Sequence, residues 1–67
     1  MNYFINFFEV VLHEGVIVRI NCFGNPYHNT EGIIVELNNP VPSKHLISLI
    51  EDGKELSFWH FYLELVD

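Results

Sequence analysis

Four histidines, one cysteine and a set of aromatics in turn-rich stretches are the side chains of this sequence best able to do chemistry, and their spacing decides which chemistry. His13, His28, His45 and His60 stand fifteen, seventeen and fifteen residues apart. None of these gaps has the short fixed spacing of a recognised zinc motif, so a metal site with Glu14 or Glu31 is not expected. They read as surface or half-buried residues that bring pH sensitivity near neutrality. His13-Glu14-Gly15 lacks the second histidine of a helical metalloprotease site. Cys22 would be a nucleophile only with an activating histidine and an oxyanion donor. At a strand end it reads instead as a small hydrophobe. Glu51 and Asp52 adjoin in a turn, where solvated charge is normal. No catalytic residue, metal ligand or cofactor is expected, and a domain this small has little room for a deep pocket. The chain reads as a non-enzyme.

The aromatics point elsewhere. Phe23 and Tyr27 lie in a long polar stretch, and Trp59 and Tyr62 lie just before the C-terminal strand. Rings brought together from two such segments can form a groove for a peptide or a cage for a cation, with Glu31 adding negative charge. Phe23, Tyr27, Glu31, Trp59 and Tyr62 are therefore the candidate partner surface. Tyr27, beside Pro26, is expected to be exposed. The competing role for Trp59 or Phe61 is to fill the core.

Five short strands must position these groups: Val16–Cys22, Gly32–Leu37, His45–Ile50, Leu56–Trp59 and Leu63–Val66. Val16, Val18 and Ile20 alternate with Ile17, Arg19 and Asn21, which is the period of a half-buried strand. Ile33, Val35 and Leu37 share one face of the second strand. The third carries apolar residues on both faces and is expected to be covered on both. Phe23 to Glu31 holds a turn residue at nearly every position. Glu51-Asp52-Gly53-Lys54 carries the Asp-Gly signal of a tight antiparallel hairpin. No stretch is long enough for the crossover helices of a parallel sheet.

Phe4, Phe8, Val11 and Leu12 fall at helical spacing, yet Phe, Ile, Tyr and Val favour strands. A short N-terminal helix over one barrel mouth and an added edge strand both fit residues 1–13. Asn6 and Glu9 interrupt the apolar run, and no Lys or Arg precedes it, so it reads as neither a membrane span nor a signal peptide. The lone Cys22 fits a reducing compartment, and a cytoplasmic location is expected.

At 67 residues, with six Phe, three Tyr and one Trp, the chain is one domain whose core relies on large rings. The net charge is −6, with nine acids against Arg19, Lys44 and Lys54. That balance opposes contact with a phosphate backbone and suits a basic protein surface.

Glu14-Gly15-Val16-Ile17-Val18-Arg19-Ile20 resembles the first strand of KOW-type and related SH3-like barrels. Thr30-Glu31-Gly32-Ile33-Ile34-Val35-Glu36 is similar to their second strand entry. Phe58-Trp59-His60-Phe61-Tyr62-Leu63-Glu64-Leu65-Val66 resembles their closing strand, one-turn helix and final strand. Ferredoxin-docking accessory subunits share this layout. The resemblance implies a mainly β fold, a small SH3-like barrel of five antiparallel strands over residues 14–67. With the loop aromatics and the acidic charge, the reading is a protein-interaction module, acting as accessory subunit or as small regulator or inhibitor of a larger machine. A KOW-like nucleic-acid binder and a subunit completing an enzyme's active site are the alternatives, and a homodimer is compatible with the apolar N-terminal run. The chain departs from KOW domains that touch RNA in lacking basic loops.

Overall fold

The computed structural model describes residues 12–66. Five antiparallel strands form one sheet: β1 (Ile17–Ile20), β2 (Glu31–Glu36), β3 (Lys44–Leu49), β4 (Glu55–Trp59) and β5 (Leu63–Leu65). A 3-10 helix, His60–Tyr62, joins β4 to β5. The strand order is β4-β3-β2-β1-β5. All five expected strands are present: β1 and β5 are shorter than expected, β2 and β3 begin and end one residue earlier, and β4 begins one residue earlier. The N-terminal helix or strand expected before residue 12 lies outside the described residues.

The alternating pattern sorts the side chains into two faces. Val18 and Ile20 of β1, Ile34 of β2, Ile47 and Leu49 of β3, Phe58 of β4 and Leu63 of β5 are buried, and Leu12 joins them. Each fully enclosed aliphatic chain of this kind contributes about 1.5–3 kcal/mol of transfer free energy. The ring that fills the core is Phe58, not Trp59 or Phe61, because Trp59 follows Phe58 on the strand and so points the other way. On β2 the inward residue is Ile34, so Ile33 and Val35 face outward and stay exposed. Ile33 stands opposite Ile17, which gives the outer face an apolar pair. β3 is buried at His45, Ile47 and Leu49 and half-buried at Lys44, Leu46 and Ser48, as its two apolar faces require.

Gly32 leaves no room for a side chain between β2 and β3. A Cβ there would run into Ile47 Cγ2 and come within 2.9 Å of the Ser48 carbonyl oxygen. Past it, the β2–β3 register shifts between Ile34 and Glu36, a bulge that bends β2. The hairpin at Glu51–Lys54 forms as expected. Gly53 adopts φ +75°, its N–H donates to the Leu49 carbonyl at 2.8 Å, and the Lys54 carbonyl accepts from Leu49 N–H at 2.8 Å.

The expected closed barrel is not formed: β4 and β5 remain the two edges of an open sheet. The connection explains both the roll and the opening. Five flat strands would hold the edges about 19 Å apart, whereas three residues of 3-10 helix advance only about 6 Å. The sheet must therefore roll until the end of β4 reaches the start of β5. Yet β4 and β5 run in the same sense, since β4 opposes β3 and β5 opposes β1. After so short a connection they lie end to end, not side by side, and no ladder can close the roll.

Candidate functional site

The corner where β4 passes into the 3-10 helix gathers three rings, Trp59, Phe61 and Tyr62. Trp59 leaves β4 on the outer face, and the helical turn brings Phe61 beside it. Their planes are 2° apart with centroids at 6.2 Å, and Tyr62 meets Phe61 edge to face at 4.7 Å. Trp59 is 38% exposed and Phe61 44%. Lys44 stands opposite Trp59 in the β3–β4 ladder, which sets its Nζ 5.1 Å from the Trp59 ring centroid. Ser43, Trp59, His60 and Phe61 line an open cleft of about 340 Å³ beside this stack.

Of the five residues that the sequence nominates, Trp59 and Tyr62 are brought together, with Phe61 as the ring between them. Phe23 is 87% exposed and lies against the His28 ring at 4.3 Å, a separate group in the β1–β2 loop. Tyr27 is not the exposed loop residue expected from its polar neighbours. It is half-buried against the core. Successive turns draw it in: Tyr27 N–H donates to Asn25 Oδ1 at 2.8 Å, and its carbonyl accepts from Thr30 N–H at 3.0 Å and from the Thr30 hydroxyl at 2.6 Å. The loop touches the aromatic corner through its backbone, since Asn21 N–H donates to the Tyr62 carbonyl at 2.7 Å.

Glu31 belongs to another row. Arg19 faces Glu31 on β2 and Glu64 on β5, with ion-pair distances of 3.8 and 3.9 Å. Part of its charge is thus answered within the chain, and the cation over Trp59 is the protein's own Lys44. A cage for a foreign cation is already occupied on that face, whereas a groove for an apolar side chain is not.

Beneath the corner lies a polar connection that the sequence reading missed. His45 is buried at 4% exposure on the inner face of β3. Its Nδ1 accepts from Asn38 N–H at 3.0 Å, and its Nε2 lies 3.1 Å from His60 Nδ1. An imidazole nitrogen that accepts a backbone N–H is the unprotonated one, which places the proton of neutral His45 on Nε2. His45 therefore donates to His60 Nδ1, and neutral His60 carries its proton on Nε2. Burial, and then the neighbouring His60, hold His45 below its ordinary value of 6.5. The signal was present in the sequence, because His45 shares strand parity with Ile47 and Leu49.

Cys22 is half-buried against the core, and its N–H donates to His28 Nδ1 at 2.9 Å, so both loop residues have structural roles. Among the described residues no group of three or more His, Cys, Asp or Glu could hold a metal ion, and no helix is long and apolar enough to cross a membrane. Stacked exposed rings, a shallow cleft and a positioned ammonium can bind an apolar side chain and align its polar neighbours. No protein-family model matches the chain, and no curated protein is similar to it.

Proposed function

We propose that this chain is a protein-binding module of SH3-like layout that docks a partner at the β4–helix corner, as accessory subunit or small regulator of a larger assembly. The observation that carries the reading is the parallel Trp59–Phe61 pair, exposed on both rings beside a cleft. Binding hot spots are enriched in Trp and Tyr, and interface cores in Phe as well. The strand order and the 3-10 link between β4 and β5 support the SH3-like layout.

The outer sheet face continues from that corner. Ile17 and Ile33 supply apolar area there, and Glu31, Glu36 and Glu55 supply exposed acid around it. An apolar centre with an acidic surround fits a partner whose own apolar anchor is ringed by Lys and Arg. The acids act on orientation and association rate, and the rings supply the affinity. Trp59→Ala and Phe61→Ala test this. Each should weaken partner binding at least tenfold while preserving the melting curve, whereas unchanged affinity in folded variants would remove the corner from the site.

A further inference from the structure

We propose that the His45–His60 pair is a proton-gated latch that holds the β2–β3 loop and the 3-10 helix in the geometry of the Trp59–Phe61 cleft, fastened when both rings are neutral and released when the pair takes up a proton. The inference concerns regulation of the docking corner and rests on that reading for its functional meaning.

The latch joins two segments that flank the Lys44–Trp59 end of the β3–β4 ladder. On one side, Asn38 N–H enters His45 Nδ1, while Asn38 Oδ1 accepts from Ser43 N–H at 2.9 Å. On the other, His45 Nε2–H reaches His60, whose own N–H donates to the Ser43 carbonyl at 2.7 Å. Asn38, Ser43, His45 and His60 thus form one ring of hydrogen bonds, and two of its members line the cleft. Asn38 and Ser43 both hold positive φ, at 54° and 68°. Non-glycine residues rarely rest there, so the loop conformation depends on these bonds.

Every place a proton could enter breaks the ring. On His45 Nδ1 it would point at Asn38 N–H, donor against donor. On His60 Nδ1 it would point at His45 Nε2–H in the same way. His60 Nε2 already carries a proton in this arrangement and offers no lone pair. Neutral rings are thus the form that the bonded geometry accepts.

The surroundings give a protonated His45 no counter-charge. β4 presents Phe58 opposite it, and the β2–β3 loop presents the uncharged Asn38. The 3-10 helix presents His60. Neighbouring Lys44 lies on the opposite face over Trp59, and Glu36 lies on the outer side, bound to Asn39 Nδ2 at 2.7 Å. His45 is held below 6.5 in the fold, so the unfolded chain takes up this proton first as pH falls. The stability contributed by neutral His45 is present above about 6.5 and is lost as pH drops through the lower folded value.

The test is a pH titration of the whole protein from about 8 to about 5, read by NMR at the Asn38 amide and by emission of the single Trp59. The two signals should shift together, reversibly, at one midpoint below 6.5. His60→Gln should raise the Asn38 midpoint toward 6.5, since Gln accepts from Nε2–H without adding positive charge. An Asn38 amide that ignores pH while Trp59 titrates would overturn the latch, as would a midpoint that His60→Gln leaves in place. Partner affinity should fall by about tenfold per pH unit below the midpoint. Joint titration with flat partner affinity would support the latch and remove the cleft from the docking site.

Discussion

Trp59 and Phe61 show how one residue's place in a strand decides whether a ring serves stability or recognition. Phe58 faces inward and Trp59 outward, and the 3-10 turn returns Phe61 to the same side as Trp59. Trp59→Ala should cost about 2 kcal/mol of partner binding, roughly thirtyfold. The two loop aromatics should behave in opposite ways. Tyr27→Ala should lower unfolding stability by about 2 kcal/mol, because its ring packs on the core. Phe23→Ala, at a ring 87% exposed, should change stability by less than about 0.5 kcal/mol. Denaturant midpoints of the two variants check this, and equal shifts would contradict the assigned burial. Composition around Tyr27 spoke for the surface. The turns at Asn25 and Thr30 drew it inward, and side-chain-to-backbone bonds of that kind are not visible in a hydrophobicity pattern.

At the scale of elements, the strands were legible because each is a short apolar run between turn residues, with strict alternation in β1. Val18 is fully enclosed in β1, so Val18→Asp should abolish cooperative folding. A native-like melting curve for that variant would overturn the β1 register. Gly32 makes the complementary point, since its constraint is space, not backbone freedom. Gly32→Ala should destabilise by about 1–3 kcal/mol by forcing β2 away from Ile47 and Ser48. An unchanged denaturant midpoint would mean that β2 and β3 separate more easily than their pairing suggests. What the sequence left hidden was relation between elements. Barrel closure depends on how β4 and β5 meet after three residues of helix, and the outward face of β2 depends on its pairing with β3. Neither is encoded within a single segment. The His45–His60 pair was hidden for the same reason: its halves come from β3 and from the helix, fifteen residues apart.

For the whole molecule, the net charge of −6 is spread over several elements, and the exposed Glu31, Glu36 and Glu55 place part of it on the outer sheet face. The docking corner itself carries Lys44 and His60, so charge and ring stacking act at different parts of one surface. Association with a basic partner should accordingly slow as salt rises, while the dissociation rate changes little. The most direct measurement is a pull-down from the native host with the tagged wild-type chain beside a Trp59→Ala/Phe61→Ala variant, each with and without nuclease. A stoichiometric protein that survives nuclease, stays with the wild type and is lost by a variant of native-like melting curve is the predicted result. Equal retention by that variant, or retention that ends with nuclease, would contradict the account.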